Sequence, residues 1–223
     1  MAKLHPQLKQ GLALVPEDKP VHLLTRHSVR EMAKNGFADY RLPLTPEGIE
    51  MARRWGEALG RPVQRCFSSP VGRCVDTATA MLEGLEAAGL QASAVEIEHV
   101  QTLVEPGCYV EDIRRVGPRF LELGAIGFLN HHLNGELDGL LTPARGHEKL
   151  VRYLREREPA PGHLALHVTH DTILMAFIAE MLGLRQVSDA DWPWMMEGVW
   201  LWFDDDGLHW IWRGEKRLRP HAD

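Results

Sequence analysis

The sequence predicts an α/β protein of three layers, with a mostly parallel sheet between helices and a β-hairpin at the C-terminus. Three observations carry this. Short β-branched runs alternate with segments that are apolar at helical spacing. The helical segments open on capping residues followed by proline. Two tryptophan-rich runs flank an Asp-Gly turn near the end of the chain. At roughly 100–200 residues per domain, the 223 residues are read as one domain, 1–223.

Residues 21–25 (VHLLT), 63–67 (VQRCF), 95–99 (VEIEH) and 163–168 (HLALHV) read as strands, and the first, second and fourth each lead into a helical segment. Thr45-Pro46 precedes the helix expected over 47–59, with Thr placed to cap and Pro at the first helical position. Ser69-Pro70 is expected to do the same for 71–88, and the helix over 172–182 stops at Gly183, a candidate C-cap. Residues 105–157 read as a helix-rich insertion, broken at Gly117-Pro118 and Thr142-Pro143, lying above the sheet and over the site. Residues 199–203 (VWLWF) and 208–212 (LHWIW) flank Asp204-Asp205-Asp206-Gly207 as a hairpin. Its tryptophans are expected on a packed sheet face rather than on a binding platform, because large aromatics dominate core burial.

Composition narrows the function. The net charge of −6 argues against a nucleic-acid-binding face. No apolar run reaches the ~20 residues needed to span a bilayer. The six-residue apolar stretch before Pro16 is too short for the core of a secretory signal. Cys66, Cys74 and Cys108 form neither an even framework nor a C-x-x-C pair, so a reducing cytoplasm is expected.

In open α/β sheets the active crevice lies beyond the carboxyl ends of the strands. Three predicted strand exits carry reactive types: Arg26-His27-Ser28-Val29-Arg30, Ser68-Ser69-Pro70-Val71-Gly72-Arg73, and Thr169-His170-Asp171-Thr172. A cation in the first turn of a helix is disfavoured by ~0.3–1 kcal/mol, so Arg73 fits there best if an anion occupies the site; pairing with Asp76 or Glu31 is the structural alternative. Guanidinium forks match phosphate oxygens in pairs, and histidine is suited to attack phosphorus near neutral pH. Asp171 reads either as a general acid or as a cap for the following helix.

These segments resemble motifs of the histidine phosphatase superfamily. Residues 26–30 are similar to its R-H-G-x-R signature, and Leu44-Thr45-Pro46-Glu47-Gly48 to its L-T-x-x-G helix start. Residues 68–73 with Thr77-Ala78 are similar to S-S-P-x-x-R…T-A, and His170-Asp171-Thr172 to the H-D-T motif of its acid-phosphatase branch. The resemblance implies a phosphoglycerate mutase-like fold and a phosphomonoesterase that uses neither metal nor cofactor. His27 would be the nucleophile that forms a phosphohistidine. Arg26, Arg30, Arg73 and His170 would bind the phosphoryl group, and Asp171 would donate the proton, with Glu105 as the alternative donor. The substrate would be a small phosphate monoester or a phosphoprotein; no nucleic-acid or membrane partner is implied. Ser28 departs from the signature's glycine. If the turn needed φ > 0, its Cβ would add strain of ~1–3 kcal/mol and weaken or abolish turnover, leaving a protein that binds a phospho-ligand without hydrolysing it. A mutase or phosphotransferase is the other alternative.

Two further patterns compete. Cys108 and Arg114 have the C-x5-R spacing of cysteine phosphatases, but Glu111 and Asp112 would repel a phosphate there. Twelve histidines suggest a metal hydrolase, yet none is set at metal-binding spacing on a predicted helix with an acidic partner. His131-His132 are expected on the polar face of the insertion or at the substrate mouth.

Overall fold

A seven-stranded sheet in the order β3-β2-β4-β1-β5-β6-β7 divides the molecule. The computed structural model describes residues 3–31, 40–91 and 93–221. The four strands expected from the β-branched runs are β1 (Val21–Arg26), β2 (Val63–Ser68), β3 (Ile97–His99) and β4 (Leu164–Thr169), all mutually parallel where they pair. The tryptophan hairpin is β5 (Gly198–Asp204) and β6 (Gly207–Trp212), joined to the parallel set by antiparallel pairing of β5 with β1. One strand was not expected: β7 (Glu215–Pro220) pairs antiparallel with β6. Its sequence, EKRLRP, lacks apolar alternation because β7 is an edge strand exposed along its whole length.

Six helices lie among the described residues: α1 (Gln7–Leu12), α2 (Pro46–Glu57), α3 (Gly72–Ala87), α4 (Ile113–Leu133), α5 (Pro143–Arg155) and α6 (Asp171–Leu182). The period-2 alternation of the strands sorts them into two layers. Val21, Leu23, Leu164 and Leu166 point to one face and pack with Met51 and Trp55 of α2 and Met81 and Leu85 of α3. Leu24, Ala165, Val199 and Leu201 point to the other and pack with Leu150 and Leu154 of α5 and Leu174 and Phe177 of α6. Trp200, Trp202, Trp210 and Trp212 are all buried in these two cores, as a packed sheet face requires, whereas Trp194 is exposed. Burying an indole of about 200 Å² contributes on the order of 5 kcal/mol at most. For Trp55 and Trp200 this is offset because their Nε1 atoms find no acceptor among the described residues.

The local signals mostly act as expected. Thr45 Oγ1 accepts from Gly48 N at 3.0 Å and caps α2, with Pro46 at its first position. Gly183 ends α6 in the left-handed region at φ 69°. Three expectations need correction. The helix after β2 begins at Gly72 with Val71 at the cap position, so Ser69 does not cap it. Gly117-Pro118 lies inside α4 without ending it, and the kink falls at Gly124 (φ 65°, ψ 172°), where only glycine is at ease. His132 does not lie on a polar face: it is buried edge-on against Tyr109, with ring centroids 5.2 Å apart, while His131 is exposed and bonded to Glu136.

Candidate active site

The sheet brings the three strand exits to one edge. In register, Arg26 sits opposite Thr169 and Ser68 opposite Val168. The pairing continues one residue further, with His27 N donating to the Thr169 carbonyl (3.0 Å) and Ser69 N to the Val168 carbonyl (2.9 Å). The helices that follow β1 and β4 leave to opposite faces, α2 into one core and α6 into the other, which is the topological switch where open α/β sheets place their sites.

Arg73 joins the two histidines. On the second residue of α3 and 2% exposed, it donates from Nε to His27 Nε2 (3.0 Å), and its Nη2 lies 3.2 Å from His170 Nδ1. Guanidinium can only donate, which fixes both tautomers. His27 holds its proton on Nδ1, donated to the Ser28 carbonyl at 2.8 Å, and presents a lone pair on Nε2. His170 holds its proton on Nε2, facing Ser69 Oγ at 3.1 Å. Ser69 therefore serves the second histidine instead of a helix cap. Burial first, then His170 and the two arginines Arg26 and Arg73, hold His27 well below the ordinary histidine value, and burial and Arg73 bring His170 to about 3. Both imidazoles are neutral at neutral pH.

Arg26 ends β1 on the α6 side of the sheet and meets Asp171 at the start of that helix, Nη2 to Oδ2 2.5 Å. His170 is the cap residue of α6, and Asp171 adds an acceptor for Thr172 N (2.9 Å). The two carboxyls differ sharply. Burial pushes Asp171 up, but Arg26, then His27 and His170, outweigh it and leave it at about 2. Glu105, 6% exposed, is pushed up to about 7 by burial and by the charge of Asp171, and its Oε1 has no hydrogen-bond partner among the described residues. Arg30 is half-buried, donates to the Glu31 carbonyl at 2.9 Å and lies in the field of Arg73, Asp171 and Arg26. Three guanidiniums against one ionised carboxylate leave a local excess of two positive charges in a chain that is acidic overall.

Ser28 is not at positive φ; among the described non-glycine residues only Met196 and Arg213 are. The strain foreseen for its Cβ is therefore absent. Its N–H donates to Thr77 Oγ1 (3.0 Å) and its hydroxyl to the Gly48 carbonyl (2.7 Å). Gly48 explains the helix-start motif: a Cβ there would fall 2.1 Å from the Val29 carbonyl oxygen, so α2 can approach the turn only with glycine at that position. Cys108 and Arg114 do not meet the demands of a cysteine phosphatase, since the thiol is buried and pushed up to about 12 and Arg114 is exposed on α4.

Sequence reasoning missed Tyr40, which lies edge-on to His170 (centroids 6.2 Å), faces the Arg73 guanidinium at 5.4 Å and donates its hydroxyl to the Glu105 carbonyl at 3.2 Å. It also missed the Pro193 carbonyl, which accepts from Arg26 Nη1 at 2.5 Å. Neither carries a pattern that a single sequence displays.

Residues 22–105 match the model of the histidine phosphatase superfamily (branch 1). The likeness of His170-Asp171-Thr172 to the H-D-T motif of the acid-phosphatase branch lies outside the matched segment. No curated protein matches the sequence. Solved structures extend the likeness in fold to most of the chain. A phosphoglycerate mutase from Bacillus anthracis has 14% identity and a TM-score of 0.54, covering 92% of this chain and 94% of that one. A phosphoserine phosphatase variant from Entamoeba histolytica, solved with phosphoserine, has 18% identity and a TM-score of 0.54, covering 89% and 94%. A mycobacterial glucosyl-3-phosphoglycerate phosphatase has 17% identity and a TM-score of 0.51, covering 90% and 97%. The fold is phosphoglycerate mutase-like. No helix of the described residues is long and apolar enough to cross a membrane.

Proposed function

We propose that the protein is a phosphomonoester hydrolase acting through a phosphohistidine on His27. The observation that carries this is the lone pair on His27 Nε2, held neutral and buried against Arg73 with His170 on the other side of the same guanidinium. In the resting arrangement Arg73 and Asp171 satisfy the groups that a phosphate would engage. A dianion entering between Arg26, Arg30 and Arg73 takes over those donors. It also raises the basicity of His170, which then gains a second N–H to give to a phosphoryl oxygen.

In the first step the Nε2 lone pair forms a P–N bond while the ester P–O bond breaks, and the departing alkoxide takes a proton. We assign that proton to Glu105 rather than to Asp171. A carboxyl at about 7 is largely protonated at neutral pH, whereas one at about 2, paired with Arg26, is not. Glu105 opens segment 105–157, which we take as the part of the chain bordering the pocket. In the second step the Glu105 carboxylate accepts a proton from water, the new P–O bond forms, the P–N bond breaks and phosphate leaves. The arginines act throughout by concentrating positive charge where the transition state is negative. Small phosphorylated metabolites are the substrate class we favour, as two of the structures similar to this one are named for phosphoserine and for glucosyl-3-phosphoglycerate.

The test is hydrolysis of p-nitrophenyl phosphate with an acid-labile, alkali-stable labelled phosphoenzyme, both lost in His27→Ala and unaffected by chelator. Phosphate transfer to an added alcohol in preference to water would replace this reading with a phosphotransferase. Binding of inorganic phosphate without turnover would replace it with a phospho-ligand binder.

A further inference from the structure

Arg26 is held from behind by a segment that has no part in the chemistry just described. Residues 188–197, the last ten before β5, run past the site, and one guanidinium bonds to four of them. Arg213, in the turn between β6 and β7, donates from Nε to Glu197 Oε1 (2.8 Å) and from Nη2 to Glu197 Oε2 (3.2 Å). The same guanidinium donates to three successive carbonyls, those of Ala190 (3.1 Å), Asp191 (3.2 Å) and Trp192 (3.2 Å). Glu197 is 1% exposed, and its Oε2 also accepts from Trp194 N at 2.9 Å.

Arg213 makes these contacts from a backbone that a side chain rarely adopts, with φ 48°. A non-glycine residue persists in that region only where its surroundings hold it. Met196, in the segment it organises, is likewise at φ 65°. Two strained residues, one buried ion pair and a fan of carbonyl bonds converge on one stretch of ten residues.

That stretch faces the phosphate arginine. The Glu197 carbonyl accepts from Arg26 N (2.9 Å), and the Met196 and Glu197 carbonyls accept from Thr25 Oγ1 (3.0 and 3.2 Å). The Pro193 carbonyl takes Arg26 Nη1 at 2.5 Å, on the side of the guanidinium away from the one that pairs with Asp171. Arg26 is thus aimed by a carbonyl whose position depends on Arg213.

We infer that Arg213 and Glu197 are positioning residues that aim the Arg26 guanidinium at the substrate phosphate. The inference rests on the phosphatase reading above. It assigns a function to a buried ion pair in the C-terminal antiparallel part of the fold, outside the segment that matches the superfamily.

The experiment measures the inhibition constant of inorganic phosphate, kcat and KM with p-nitrophenyl phosphate, and Tm, for the wild type, Arg213→Ala, Arg26→Ala and the double variant. Arg213→Ala is expected to weaken phosphate binding and kcat/KM by roughly ten- to a hundred-fold, the scale of a misplacement of about 1 Å. The loss is expected not to add to that of Arg26→Ala, because both remove the same aimed fork. Arg213→Lys keeps the charge on Glu197 but cannot span three carbonyls, so it should recover Tm and little of the phosphate affinity. Should the alanine variant not fold, the lysine variant and Glu197→Gln carry the same cycle. A fall in Tm with phosphate inhibition unchanged, or losses that add in the double variant, overturns the inference and leaves the phosphatase reading standing. A wild-type chain that neither binds nor releases phosphate overturns both.

Discussion

Exchanging Glu105 for Gln separates the two carboxyls of the site more sharply than any other change. Burial and the charge of Asp171 raise Glu105 from 4.5 to about 7, so at pH 6 it is protonated by about ten to one. If Glu105 is the proton donor, kcat for an alkyl phosphate falls on the alkaline side of about pH 7 as the proton is lost. Glu105→Gln should remove that alkaline limb and cost ~10²–10⁴-fold in kcat, the usual range for a general acid. With p-nitrophenyl phosphate, whose leaving group departs without a proton, the first step should be much less affected. The same shift predicts a stability signature. From 4.5 to about 7 is 2.5 pH units, which at ~1.4 kcal/mol per unit comes to about 3.5 kcal/mol. Because the folded-state value is raised, the benefit of the neutral carboxyl is complete below about pH 4.5 and is lost as pH rises through about 7. The wild type should therefore unfold more easily at pH 8 than at pH 5 by up to that amount, and Glu105→Gln should flatten the difference. Asp171→Asn should keep an alkaline limb but move it to lower pH, because the charge of Asp171 helps to raise Glu105, and it should not weaken phosphate binding, because it removes an anion that competes for Arg26. The reasoning fails if Asp171→Asn abolishes the alkaline limb while Glu105→Gln preserves it.

Two smaller predictions concern the turn after β1. Ser28→Gly removes the hydroxyl bond to the Gly48 carbonyl and adds backbone freedom to the unfolded chain. It should lower stability by about 1–2 kcal/mol in denaturant titration without raising kcat/KM; a gain in activity would mean that the serine does constrain the enzyme. Gly48→Ala places a Cβ 2.1 Å from the Val29 oxygen, and pushing α2 away should cost about 1–3 kcal/mol, read as a fall in Tm. A variant as stable as the wild type would show that the helix and the turn do not need so close an approach.

The parallel strands and their exits were legible because the runs of β1, β2 and β4 lead directly into Arg, His or Ser, and because register at the sheet edge then forces those ends together. His27, Arg73 and His170 follow from that geometry. What the sequence could not display is environment. Asp171 and Glu105 are both plain carboxyls in the chain; only burial and the neighbouring Arg26 tell them apart, and our assignment of the proton to Glu105 rests on that difference. Ser69-Pro70 looks like a helix start, yet the serine is drawn to His170 and the helix begins two residues later. Arg213 gives no signal at all, since its partners are one acid sixteen residues away and backbone carbonyls, which every residue has.

The outermost strand has a consequence for how copies of the molecule meet. β7 leaves its ladder groups facing water, but it presents Lys216, Arg217 and Arg219 against the lone acid Glu215, and it finishes at Pro220, which has no hydrogen to offer. A second molecule laying the same strand alongside would set cation against cation and find the last rung missing. At the opposite border β3 is only three residues long, too short a template for a recruit. The sheet therefore resists growth at both margins, by repulsion at one and by brevity at the other.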